Sequence, residues 1–169
     1  RCVRTVKEAA EQAGRGPASV TVWSCLATVG DHLPEDLRLR KTVGRMATYL
    51  QGYGDLMVRT NGWDPAPLAA FRDDEMIAGF AGGIDQKATT EQLEHIATLI
   101  PEEWLAPAAT GSPEQCVATV RRQMDLGAYA VLLHGATPTG LAPVVDAYRE
   151  YLGALLDRLL LMWWRRRRN

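Results

Sequence analysis

Gly111-Ser112-Pro113-Glu114-Gln115 sets a small hydroxyl residue three positions before a side-chain amide, with glycine in front. That spacing is a capping box, in which the Ser112 hydroxyl accepts from the Gln115 backbone N–H and the Gln115 side chain reaches back to Ser112. The same helix start also suits an anion, because the first amides of a helix lack internal partners and carry its positive dipole end. Gly111 and Ser112 are therefore candidate cofactor or substrate contacts, with capping the stronger reading. His134, followed by Gly135, is the second candidate and closes the apolar run 128–134. An imidazole there could donate to a substrate oxygen or exchange a proton near neutral pH. The plainer reading is a rim histidine bonded to a neighbouring loop. Thr137 and Thr139 could meet the same ligand, although "ATPTG" is also ordinary turn chemistry.

The remaining reactive residue types form no such constellation. His32 beside Asp31 reads as a surface turn, and His95 as an exposed position on an amphipathic helix. No two histidines have metal-ligand spacing, so no metal is expected. Cys2, Cys25 and Cys116 are odd in number and widely spaced, without a C-x-x-C, which suits a reducing cytosol. Each is expected to behave as a small buried hydrophobe. Trp23 is expected in the core, and Trp63 and Trp104 between helices. Asp73-Asp74-Glu75 reads as a solvated helix end. The glycine spacings lack the Lys-Ser/Thr ending of a P-loop, which leaves nucleotide hydrolysis without support.

Hydrophobic period supplies the elements that position these residues. Val3, Val6, Ala10 and Ala13 predict a helix over 2–13, and "SVTVWSCLATV" (19–29) predicts a strand buried on both faces. A long helical region follows from 34 to 60, with Leu39, Val43, Met46, Leu50 and Tyr53 as its apolar stripe and Gly52 and Gly54 as its break. Asp64 and Pro65 start another helix, which "FAGGIDQK" ends. Thr89 and Gln92 form a first capping box. A strand over 105–109 leads into the Ser112 helix, whose inner face is Val117, Val120 and Met124 and whose stop is Gly127. Residues 128–134 form the last strand and 141–156 the last helix. Strands alternating with helices predict an α/β protein with a parallel sheet, built of units like those of a (β/α)8 barrel.

The chain's 169 residues suffice for one domain, whereas a complete barrel needs roughly 250. The formal charge of −1 conceals an asymmetry. Residues 153–169 carry five arginines against Asp157, a net +4, which leaves about −5 on residues 1–152. An acidic body speaks against a specific nucleic-acid binder. The tail joins "LLLMWW" to four arginines, a pattern found in membrane-surface segments, but a helix end covering apolar surface is the preferred account. The first residues, "RCVRTVKEAA", lie inside a helical pattern and do not begin with Met, so an upstream portion is expected.

Three stretches resemble the C-terminal part of the luciferase-like monooxygenase superfamily, in its branch of oxidoreductases using the deazaflavin coenzyme F420. They are "VKEAAEQAGRGPASVTV", "LIPEEWLAPAATGSPEQCVATVRRQMDLGAYAVLLHGATP" and "LAPVVDAYREYL". The resemblance covers residues 1–152. It implies a partial TIM barrel, with the last three or so βα units interrupted by a helical insertion at 34–103. Residues 153–169 would be an apolar-basic extension. It also implies a cytoplasmic flavin- or F420-dependent enzyme, with FMN as the alternative cofactor, moving hydride between cofactor and a small organic substrate. The family's phosphate loop would lie upstream of Arg1, and the chain would work as a homo-oligomer or with a missing N-terminal half. The alternative expectation is a non-catalytic truncated α/β module that associates through exposed strand edges.

Overall fold

The computed structural model describes the backbone of residues 2–166 and the side chains of residues 2–158. The chain divides into two compact units, one of residues 1–30 and 110–169, the other of residues 31–109.

The first unit is built around a small open sheet. Helix α1 (Cys2–Gln12) and a 3-10 turn (Pro17–Ser19) lead into β1 (Trp23–Gly30). Strand β2 (Ala109–Gly111) is followed by α9 (Pro113–Asp125), and β3 (Ala130–His134) by α10 (Pro138–Arg166). The sheet order is β2-β1-β3. β1 and β3 run parallel, with Trp23 beside Ala130, Cys25 beside Leu132 and Ala27 beside His134. The α/β class and the same-direction ladder expected from the sequence are therefore present. Successive units of a barrel would instead place β2 between β1 and β3. Here β1 is central, which is the order of an open sheet.

Residues side by side in a parallel ladder point to the same face. Ser24, Leu26, Val131 and Leu133 share the face toward the helices, and the Ser24 hydroxyl bonds to Oε1 of Gln123 in α9 at 3.0 Å. Trp23, Cys25, Ala130, Leu132 and His134 share the other face. That face is open: Trp23 is 61% exposed and Leu132 50%. This corrects two sequence expectations. Trp23 is not core, and β1 is not buried on both faces, because both helices that follow the strands lie against one side. Cys2 and Cys25 are exposed as well, and Cys116 alone is the buried thiol.

The second unit is helical: α2 (Glu35–Leu39), a π turn (Arg40–Gly44), α3 (Arg45–Asn61), α4 (Ala66–Asp73), α5 (Glu75–Ala78), α6 (Ile84–Lys87), α7 (Thr90–Leu99) and α8 (Glu102–Leu105). Its core gathers Val43, Ala47, Leu50, Leu68, Phe71, Ile84, Leu93, Ile96 and Trp104. Gly52 and Gly54 do not divide the long helix. Gly54 is buried where an added Cβ would come within 2.6 Å of Leu68, so the glycine admits α4 instead of ending α3. Tyr53 falls off the stripe and is exposed. Gly44 has the same purpose at α6, since a Cβ there would sit 3.2 Å from the Asp85 Cα.

Both capping boxes form at the expected residues, Thr89–Gln92 and Ser112–Gln115. The expected strand at 105–109 lies further along, at Ala109–Gly111, because "PEEWL" closes a helical turn first. α10 begins at Pro138 and continues to Arg166. The side chains from Leu159 onward, and with them the basic run of the 153–169 extension, lie outside the described residues.

Candidate functional site

In open α/β sheets, ligands bind at the carboxyl ends of the strands. Two candidate pairs stand there: Gly111–Ser112 after β2 and His134–Gly135 at the end of β3. With β1 between them, the two pairs are two strand spacings apart, about 10 Å. The sheet brings them to one rim but not into contact.

At the first pair, the chain satisfies its own helix start. The Ser112 N–H donates to Gln115 Oε1 at 2.7 Å, and the Gln115 N–H donates to Ser112 Oγ at 3.3 Å. The Ser112 hydroxyl donates to Glu114 Oε2 at 2.6 Å, and this bond holds the Glu114 carboxyl below the usual carboxylate range. A charged carboxylate thus already occupies the positive end of α9 and would repel a phosphate. Gly111 has φ +91°, and a Cβ on it would collide with Gln115 Oε1. Gly111→Ala is therefore expected to cost about 2 kcal/mol, from left-handed backbone strain and a displaced cap. Ser112→Ala should cost about 1 kcal/mol. Urea unfolding of the three proteins checks both values, and an unchanged midpoint for Ser112→Ala would remove the capping role.

At the second pair, His134 is half-buried and shares the open face with Leu132 and Trp23. Its ring makes no side-chain hydrogen bond among the described residues, so the neighbouring-loop partner expected from the sequence is not found. Among the described residues, no carboxylate fixes its tautomer. Gly135 has φ +97° and lies against Val29 and the backbone of Thr28 at the end of β1. Thr137 does turn chemistry, accepting from the Gly140 N–H at 3.1 Å. The arrangement offers one imidazole beside a flat apolar surface. It suits hydrogen bonding to an aromatic ring system or a carbonyl, and it lacks the paired base and nucleophile of a hydrolase.

The helical unit holds polar pairs that sequence spacing did not reveal. His95 Nε2 lies 2.8 Å from Asp74 Oδ2, while Asp74 Oδ1 accepts from Met76 and Ile77 N–H as the cap of α5. These residues are 21 positions apart, so neither periodicity nor a local motif could join them. The His95 ring holds the Asp74 carboxyl below its ordinary range, with the two backbone N–H groups adding to the effect. A depressed folded pKa contributes stability above the unfolded value and loses it as pH falls through the folded one. The urea midpoint is therefore expected to drop as pH is taken below about 4, and Asp74→Asn should flatten that drop. Trp63 and Trp104 stack at 4.7 Å, which confirms packing between helices as their position.

Among the described residues, no three His, Cys, Asp or Glu side chains converge as a metal ion would require, and no helix is long and apolar enough to cross a membrane. Comparison with known protein families, curated proteins and solved structures gave no match.

Proposed function

We propose that this chain supplies the substrate-side rim of a luciferase-like oxidoreductase using F420, or alternatively FMN, on a small organic substrate. What supports the proposal is the resemblance of residues 1–152, together with one observation: His134 ends a parallel strand on an open apolar sheet face, with no hydrogen bond of its own ring among the described residues. The deazaflavin, when bound, supplies the hydride. His134 would donate a ring N–H to the oxygen of the substrate that gains electron density, orienting it and delivering the proton. The left-handed backbone at Gly135 keeps the chain beyond His134 free of a side chain. Leu132 and Trp23 would exclude water from one side of the reacting groups. The α9 start is a poor fit for the cofactor phosphate because of Glu114, so that group belongs to an upstream portion or a second copy.

The proposal includes a partial (β/α)8 barrel, completed by further strands. It needs β2 between β1 and β3, so it calls for a change of strand neighbours when further strands are present. Titration of reduced F420 with the chain, followed by deazaflavin fluorescence, tests the cofactor assignment. A saturable change that persists in both His134→Ala and Ser112→Ala is expected, because the proposal assigns His134 to the substrate and Ser112 to its own helix cap. No change at any protein concentration overturns it, and FMN run in parallel decides between the cofactors.

A second reading is favoured by the sheet itself, which ends in β2 and β3 as edge strands and exposes Trp23 and Leu132. The chain would then be a non-catalytic module that associates through those edges. Sedimentation at several concentrations separates the two: a strictly monomeric particle counts against association, as does a Trp23→Ser, Leu132→Ser variant that self-associates unchanged.

A further inference from the structure

On the helix side of the sheet, α9, α10 and β3 form a cavity of about 450 Å³ that is open to solvent along one side. Its wall includes Val120, Met124, Val131, Leu133, Val144 and Val145, with Ala130 at the start of β3 on its edge and Tyr148 and Arg149 as its polar members. Layered α/β proteins normally fill such a space to crystal-like density. Here four of the lining residues are valines, with short side chains. One ring contact joins the two helices beside the cavity, Arg121 of α9 lying 4.0 Å over the Tyr151 ring of α10. The volume falls within the range of small-molecule sites, which are apolar with few polar groups.

We propose that this cavity binds an amphipathic monoanion, a hydrocarbon body carrying one carboxylate. The hydrocarbon part follows from the wall, where burial of apolar surface is the available driving force. The carboxylate follows from Arg149. Its Nη1 donates to Asp146 Oδ1 at 3.0 Å in a bridge whose side chains are 75% and 64% exposed. Exposed pairs of this kind contribute little, and a guanidinium has further donors for a second carboxylate. No acidic side chain lines the cavity. The Tyr148 hydroxyl, now on the weak sulfur acceptor of Met124 at 3.6 Å, is placed to donate to the same headgroup. This site lies on the opposite face of the sheet from His134, so it stands independently of the oxidoreductase proposal.

Calorimetric titration with decanoate, and with decanol as its uncharged counterpart, provides the test. Saturable decanoate binding at one site per chain is expected, at least tenfold tighter than decanol. Arg149→Gln should abolish that difference while leaving decanol binding unchanged. Val145→Phe, which fills the cavity from a partly exposed position, should weaken both ligands at least tenfold while the unfolding midpoint holds or rises. Leu132→Ser, on the other sheet face, should change neither. Absence of decanoate binding overturns the site, and so does binding lost in Leu132→Ser but kept in Val145→Phe. Equal affinity for the two ligands, unaltered in Arg149→Gln, overturns the anionic headgroup. Should Val145→Phe fail to fold, Val144→Leu serves as the filling variant.

Discussion

Trp104→Ala will remove about 3–5 kcal/mol of stability from the helical unit, the largest single loss expected in this chain. Trp104 is 1% exposed and stacks on Trp63 with ring planes 11° apart. Truncation deletes an indole from the centre of a core that also holds Leu50, Phe71, Leu93 and Ile96. The neighbours cannot all follow, since Leu93 and Ile96 are held on a helix fixed at its start by the Thr89–Gln92 cap. Domains of this size have only about 5–15 kcal/mol in total, so the variant should stand near the edge of unfolding at room temperature. Urea denaturation measures the loss. Trp63→Phe separates ring coupling from core volume: it should abolish the coupled-indole circular dichroism signal, as Trp104→Ala does, while costing far less stability because Trp63 is only partly buried. Equal costs for the two variants would show that the stack, and not the filled volume, carries the energy.

The helices were legible because their signals are local. Ser112–Gln115 and Thr89–Gln92 state their caps within four residues, and the stripe Leu39–Val43–Met46–Leu50 repeats at helical spacing across what proves to be one continuous run with a π turn inside it. The π turn itself left no mark in the stripe. Its first residue, Arg40, donates to Asp85 O at 3.2 Å and Ala88 O at 2.9 Å, partners more than forty residues away. β1 was recognisable as a strand from its β-branched residues. Its exposed face was not, because an apolar run reads the same whether one side of the sheet is covered or both. The expected burial of Trp23 and Cys25 fails for that reason. Strand order was illegible too: alternation of strands and helices fixes direction but not which strand lies in the middle.

For the candidate site, chemistry was visible but partnership was not. Gly111 and His134 were marked by residue type and by position at strand ends. That Ser112 is fully engaged by Gln115 and Glu114, while His134 lacks a side-chain hydrogen bond among the described residues, depends on side-chain geometry. The cavity between α9 and α10 was hidden for the opposite reason. Val120 obeys helical spacing with Val117 and Met124 as a core residue should, and the space shows only when α9 is set beside α10 and β3.

Asp85→Ala is expected to cost the helical unit about 2–3 kcal/mol, less than the loss at Trp104 but through polar groups alone. The Asp85 side chain is 10% exposed, with Oδ2 3.1 Å from Arg45 Nε and Oδ1 accepting from Thr48 Oγ1 at 3.1 Å. Its backbone N–H donates back to Thr48 Oγ1 at 3.0 Å, so side chain and backbone together seat α6 against α3. Removing the carboxylate leaves the Arg45 charge without its partner. Arg45 is 37% exposed and can turn to water, which keeps the cost below that of a fully enclosed broken pair. The Thr48 hydroxyl retains the Gly44 carbonyl at 3.0 Å, which limits the loss further. Asp85→Asn should cost about 1 kcal/mol, since the amide oxygen still accepts from Thr48 while the ion pair is lost. A double-mutant cycle with Arg45→Met isolates the charge interaction, and about 1 kcal/mol of coupling is expected. If Asp85→Ala and Asp85→Asn prove equally costly and the coupling is zero, α6 is held by Ile84 burial and the Arg40 bonds, and the carboxylate has no part in seating it.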